Sequence, residues 1–269
     1  MPAPAIDLAH GTLRIQDARD WGEIMRREIA LRPLRPLLGA AWPPFHRLRS
    51  IAMWIAGIKI LKEMGFEPRT VFDIGVAAGT PDLYAAFPNA HFVLVDPTRE
   101  SRPHMERIAR HYDAAIFNVA LGDRDGQVDI ATRPDDINGA TLFEEIGPLG
   151  APCRYSVPMY RFDGLFGEIG RPAACKIDVQ GAELMVLLGM GERMIDFDVF
   201  IVEVSLIATI KGAPDAYEVI AHMRQKGFVI FDIVGLARRP LDNALAQVDM
   251  LFVREDSPFR ADRRWRDHL

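Results

Sequence analysis

Two aspartates, and the run of small residues that follows the first of them, are where chemistry can first be read in this chain. Asp73 lies near the end of an apolar run, and Gly75, Ala77, Gly79 and Thr80 follow it in a turn of the form D-x-G-x-x-x-G. Thr80 suits a helix N-cap and Pro81 the first helical position. The glycines permit a tight turn and a close backbone approach to a ligand. The helix start offers unpaired N–H groups to a carboxylate or phosphate, and Asp73 adds an acceptor for an amino group. Asp96 ends the next apolar run, where an acidic side chain holds ribose hydroxyls in many sheets of this kind. The turn is not a dinucleotide fingerprint, because Ala77 and Thr80 stand where the second and third glycines of G-x-G-x-x-G would fall. A Walker loop is also excluded, since the required lysine is missing. Taken alone, the turn is either a nucleoside site or a tight connection without a ligand, and Asp96 favours the first.

The elements that must position these residues follow from hydrophobic rhythm. Strands are expected at Thr70–Ile74, His91–Asp96, Ala115–Ala120, Ala174–Asp178, Val199–Val204, Phe228–Ile233 and Val248–Val253. Helices are expected at Pro81–Phe87, Glu100–Tyr112, Ala182–Gly189 and Pro214–Lys226. Such alternation predicts an α/β fold, a parallel sheet with helices on both faces. Gly235–Gln247 lacks a helical stripe, so the last two strands are expected to form an antiparallel pair closing the sheet edge. Between Gly126 and Phe162 the pattern suggests a hairpin and an irregular insertion. Before Arg69 the chain reads as helix interrupted by prolines, with one helix over Asp20–Ala30 and an amphipathic one over Arg47–Met64, where Leu48, Ile51, Ile55 and Ile58 recur at helical spacing. The expected organisation is an N-terminal helical extension over residues 1–68, a nucleoside-binding domain over 69–256 and a charged tail over 257–269.

Composition narrows the function classes. The chain has 269 residues and a mass of 30.2 kDa, and at 49% hydrophobic and 26% charged it can bury a core without staples. Two cysteines, Cys153 and Cys175, build neither a disulfide framework nor a cysteine-rich zinc site, and Cys175 reads as a buried thiol. No apolar stretch reaches the ~20 residues of a membrane span, and the start has no secretory pattern, so the cytoplasm is the expected compartment. Net charge is −5: residues 1–70 hold eleven Lys/Arg and seven Asp/Glu, so the rest carries −9. An acidic body argues against nucleic acid as a partner. The basic helix over residues 47–64 leaves peripheral contact with a membrane open, although packing on a sheet is commoner. The histidines show no metal-ligand spacing, and no metal is expected.

Further along, Phe117–Gly126, Val157–Asp163, the segment Lys176-Ile-Asp-Val-Gln-Gly-Ala-Glu183 and Phe200–Val204 follow in order. With the opening turn, they resemble the FkbM family of S-adenosyl-methionine-dependent methyltransferases over roughly residues 70–253. The resemblance implies a class I methyltransferase fold, Rossmann-like, with a seven-stranded sheet whose last strand is antiparallel. It implies S-adenosyl-methionine as cofactor and methyl transfer, most often to a hydroxyl oxygen of a small metabolite, glycan or lipid-linked sugar. Asp73, Gly75 and Gly79, with Ala77 and Thr80 in the same turn, would surround the methionine part and Asp96 the ribose. Asn118 and Val119 would sit near the adenine, and Asp178 would face the sulfonium and the acceptor. The chain departs from the family in having Gln180 where glutamate is common, and Ala77 and Ala78 in the first turn.

Asp178 is the expected general base, because catalytic groups gather at the carboxyl ends of strands in open α/β sheets. Glu203 ends the neighbouring strand and is expected either to share that task or to pair with Lys176, which points to the same side as Asp178. Glu183 is expected to cap its own helix. A regulatory protein that binds the cofactor without turnover is the alternative, and a nicotinamide oxidoreductase a more distant one.

Overall fold

The computed structural model describes residues 6–7, 12–13, 45–133, 136–147 and 152–265. Two compact units divide the chain, Met1–Leu48 and Arg49–Leu269. In the first, Ile6–Asp7 pairs antiparallel with Thr12–Leu13; the helix expected over Asp20–Ala30 lies outside the described residues. The division falls earlier than residue 68, because the helix α1 (Phe45–Glu63) sends Trp54, Ile58 and Leu61 into the core of the second unit.

That unit is organised by a seven-stranded sheet. Its strands are β1 (Thr70–Ile74), β2 (His91–Val95), β3 (Ala114–Phe117), β4 (Ala173–Ile177), β5 (Val199–Ser205), β6 (Phe228–Arg238) and β7 (Leu245–Arg254). They lie in the order β6-β7-β5-β4-β1-β2-β3. Pairing is parallel from β5 through β4, β1 and β2 to β3, and antiparallel on both sides of β7. The expected fold class and antiparallel last strand are what the structure has. The sheet edge, however, is β6, with β7 inserted between it and β5. The reason is burial: β7 carries the unbroken buried run Met250–Val253, which needs cover on both faces, whereas much of β6 is partly exposed.

Helices α2 (Pro81–Ala86), α3 (Arg102–Ala109) and α6 (Ala216–Gln225) fall within the expected stretches, α5 (Glu183–Met190) runs one residue past its own, and a short α4 (Phe162–Leu165) precedes β4. Two apolar cores cover the two faces. One gathers Phe72, Ile74, Cys175 and Ile177 with residues of α5 and α6; the other gathers Val71, Phe92, Leu94 and Leu251 with α1, α2 and α3. The α1 stripe differs from expectation. Among the helix residues whose side chains are described, Trp54, Gly57, Ile58 and Leu61 are buried, while Ile55 is 47% exposed; the expected stripe residues Leu48 and Ile51 lie outside them. Gly57 allows this approach, since a Cβ there would lie 2.3 Å from Val234. Lys62 on the same helix donates to the Ala86 carbonyl and Lys59 pairs with Glu63, so these basic groups bond within the chain. Among the described residues no helix is long and apolar enough to cross a membrane.

The region between β3 and β4 is more regular than expected. Ala120–Leu121, Cys153–Tyr160, Gly126–Arg133 and Asp136–Thr141 form a four-stranded sheet in that order, over a core of Ala120, Ile130, Val157 and Met159. The period-two spacing of Val128 with Ile130, and of Tyr155, Val157 and Met159, carries the signal. Glu144–Glu145 then pairs with Ile210–Lys211 beyond β5.

Side-chain alternation explains what the sheet does for function. Asp73 on β1 and Lys176 on β4 are paired in register, and Glu203 on β5 is paired with Asp249 on β7. These positions share the parity of Val71, Ala174, Ile201 and Leu251, so all four point to the α1 face near the carboxyl ends of the parallel strands. From α1, Trp54 Nε1 donates to Asp249 at 2.8 Å. Trp54→Phe removes that donor from a largely buried carboxyl and should lower stability by about 2 kcal/mol or more. Urea denaturation measures the loss, and an unchanged midpoint would show that the bond contributes nothing.

Candidate functional site

The chain leaves β1 for β2 on one side and returns to β4 on the other, so the carboxyl ends of β1 and β4 form a switch point, where open α/β sheets bind ligands. The two ends are in close contact. Asp178 N–H donates to the Ile74 carbonyl, and Gly75, at φ +82°, could not carry a Cβ, which would lie 1.7 Å from the Asp178 carbonyl oxygen. The close approach that Gly75 permits in this structure is to the end of β4. At Gly79 the room for a Cβ is likewise limited by Ile108 and Tyr84. Thr80 differs from expectation: its side chain does not cap α2, and its hydroxyl interacts with Asp73 instead.

Asp73 is completely buried. Its Oδ2 accepts a short hydrogen bond from the Tyr84 hydroxyl, and its Oδ1 lies 3.5 Å from Lys176 Nζ with no hydrogen bond of its own. Burial pushes the Asp73 carboxyl up, and the pull of Lys176, Tyr84 and Thr80 recovers only part of that.

At the end of β2, Asp96 ties three segments together. Its Oδ2 accepts from the Ala77 N–H at 2.8 Å, and its Oδ1 from the N–H and hydroxyl of Thr98. Ala77 is held at φ +46°, a left-handed conformation that this bond helps to stabilise. Asn118 donates from Nδ2 to the carbonyls of Asp96 and Thr98, while Val119 packs on the α5-side core. The loop after Asp96 also meets the inserted sheet, where the Arg99 guanidinium lies 4.2 Å over the Tyr155 ring.

The end of β4 holds the densest polar network. Lys176 Nζ donates to Asp178 Oδ2 at 3.1 Å. Gln180 Nε2 donates to Asp178 Oδ1 at 2.9 Å and to Glu203 Oε2 at 2.8 Å, and Gln247 Nε2 donates to the same Glu203 oxygen at 2.9 Å. The expected alternative of a Lys176–Glu203 pair is thus not what forms: the ammonium is taken by Asp178 and Asp73. Burial alone would lower the Lys176 pKa, but Asp178, Asp73 and Asp249 outweigh it and raise it, so the ammonium stays charged. Burial, with repulsion from Asp178, Asp249 and Glu183, pushes Glu203 well above the usual carboxyl range. A small cavity opens beside it, lined by Gln247, Asp249 and the Gly235–Ala237 stretch of β6.

Of the expected site residues, the structure brings together Asp73, Lys176, Asp178 and Glu203, and separately Ala77, Asp96 and Asn118. Tyr84, Gln247, Asp249 and Trp54 were not foreseen. Asp249 had a signal, a lone charge in the apolar run Val248–Val253; the others had none at short range. Among the described residues no three His, Cys, Asp or Glu side chains converge as a metal site.

A family model for the methyltransferase FkbM domain matches residues 73–230. No curated protein matches the chain. Among solved structures, it is similar to 1,6-didemethyltoxoflavin-N1-methyltransferase of Burkholderia thailandensis, crystallised with S-adenosylhomocysteine, at 13% identity over 95% of this chain and 100% of that one, with a TM-score of 0.39. It is also similar to magnesium protoporphyrin IX methyltransferase of Synechocystis PCC 6803, at 11% identity over 90% and 100% of the two chains and a TM-score of 0.41. The fold assignment rests on the strand order and not on these low-scoring likenesses.

Glu183 offers a test of the turn that carries Asp178 and Gln180. Its buried carboxylate accepts from the N–H groups of Val179 and Gly181, so it closes the turn ahead of α5. Burial pushes its pKa from 4.5 up to about 7. The folded state therefore binds a proton more tightly than the unfolded one, and this group's contribution to stability falls as pH rises from 4.5 to about 7. Glu183→Gln should flatten that part of the stability–pH curve, measured by denaturation at pH 5, 6, 7 and 8. A variant curve parallel to the wild-type one would exclude the assignment.

Proposed function

From the premise that this chain belongs to the FkbM methyltransferase family, we propose that it transfers a methyl group from S-adenosyl-methionine to a hydroxyl oxygen of a small metabolite, glycan or lipid-linked sugar. The observation that carries the hydroxyl assignment is Asp178. Its side chain is 30% exposed, whereas that of Asp73 is fully buried, and both its oxygens are oriented by donors, Lys176 and Gln180. A carboxylate has about four acceptor sites, so capacity remains for the proton of an incoming hydroxyl.

The residues fit the cofactor by their chemistry. Asp73, Asp96 and Asp178 surround the switch point with Lys176 as the cation among them, a field suited to a ligand carrying an ammonium and a sulfonium, and Asp73 Oδ1 is a buried acceptor without a hydrogen bond. In this reading Asp96 and Asn118 hold the ribose and adenine side, and Asp73 with the Gly75–Gly79 turn holds the methionine side. When bound, S-adenosyl-methionine supplies a methyl group activated by its positive sulfur. The protein's share of the reaction is alignment, which accounts for much of the rate in an in-line displacement, and removal of the acceptor proton by Asp178.

Two outcomes test this. S-adenosyl-homocysteine should bind and raise the melting temperature, by the equivalent of about 2.7 kcal/mol at 100 times its Kd, and Asp96→Ala should weaken that binding in calorimetry; equal affinity would remove Asp96 from the site. With tritiated S-adenosyl-methionine and a panel of hydroxylated acceptors, Asp178→Asn should lower transfer by about 10²–10⁴-fold while leaving affinity for S-adenosyl-homocysteine nearly unchanged. Normal transfer in that variant would exclude Asp178 as the base.

A further inference from the structure

Gln180 has a backbone conformation that side chains rarely adopt, with φ at +50°. Such a residue persists only where its surroundings over-determine it, and here they do. Thr141 Oγ1, at the end of the inserted sheet, donates to the Gln180 carbonyl at 2.7 Å. The N–H groups on either side of it, from Val179 and Gly181, are held by Glu183. The side-chain amide then spends both its hydrogens, one on Asp178 and one on Glu203. Glycine would adopt this turn at less cost, so the backbone does not account for a glutamine. Its two side-chain bonds do.

We propose that Gln180 is a positioning residue for Asp178: its neutral amide bridges Asp178 to Glu203 and fixes the carboxylate that faces the methyl acceptor. This rests on the assignment of Asp178 as the acceptor-side base. The groups facing Asp178 are Lys176 on β4, Asp73 on β1, Glu203 on β5, Asp249 on β7 and Glu183 at the start of α5. Four are carboxyls and one is a cation, so a neutral donor between Asp178 and Glu203 relieves repulsion that Lys176 must otherwise offset alone. A glutamate at 180 would instead put a further acid between them. The Thr141 bond makes the bridge sensitive to the inserted sheet, so a shift of that sheet would reach Asp178 through the residue 180 backbone.

The test is a ¹³C-carboxyl NMR titration of the full-length protein, with the Asp178 resonance assigned from Asp178→Asn. Gln180→Gly relieves the backbone while removing the amide, and Gln180→Met removes the amide while keeping the length. Both should move the Asp178 midpoint upward relative to wild type, by on the order of one pH unit, because a hydrogen bond to the charged form is lost. Gln180→Glu should move it further. Gln180→Gly should melt above Gln180→Met, since both lose the amide and only glycine relieves the backbone, which separates the side chain's role from the backbone's. Midpoints equal to wild type in both the Gly and Met variants would overturn the proposal. Calorimetry with S-adenosyl-homocysteine on the same wild-type sample tests the methyltransferase reading separately, since a failure to bind would sink that reading and leave the bridge to be judged by the titration.

Discussion

Lys176 is the interaction on which the site depends. It is a buried ammonium in the middle of a sheet, on a strand whose five residues are all buried. An unpaired charge there would cost several kcal/mol. It is tolerated because Asp73 on the neighbouring strand and Asp178, just past the end of its own strand, both face it. Those two carboxylates belong to the two sides of the proposed site, cofactor and acceptor, so a single cation joins them. One ammonium cannot neutralise the surrounding acids, and the structure deals with the rest through neutral donors. Tyr84 bonds Asp73, Gln180 and Gln247 bond Glu203, and Trp54 bonds Asp249.

This charge arrangement requires the strand order. Asp73 and Lys176 are adjacent because β4 pairs with β1 and not with β3, its predecessor in the sheet order of the chain. Gly75 lets the β4 end come within contact of the β1 end. Trp54, Gln247 and Asp249 lie outside the segment 73–230 that matches the family, yet they complete the acid cluster beside Asp178. The residues proposed for the cofactor side thus lie within the matched segment, while part of the acid cluster beside Asp178 is built from α1 and β7.

Much of this was legible in the sequence for a physical reason. Parallel strands buried on both faces read as short apolar runs, so the strands of the central sheet and the carboxylates at their ends stand out; Asp73 and Asp96 follow from position, while Lys176 and Asp178 also rest on the family resemblance of their segment. What was not legible depends on pairing across long separations. Nothing near Lys176 in the chain states that Asp73 takes the partner expected to be Glu203, or that Gln180 takes Glu203 instead. Thr80 has the residue type of a cap and is followed by Pro81, yet its side chain does not cap α2. On α1 the expected stripe departs from the structure at Ile55, which is as apolar as Trp54 and Leu61, and only packing against β6 and β7 puts Trp54 inside and Ile55 outside.

The most direct measurement is a crystal structure of the protein grown with S-adenosyl-homocysteine. The account predicts density at the carboxyl ends of β1, β2 and β4, with the ribose hydroxyls on Asp96 and the sulfur on the side of Asp178. Ligand density bound away from that edge, with the Lys176–Asp73–Asp178 cluster unvisited, would contradict it.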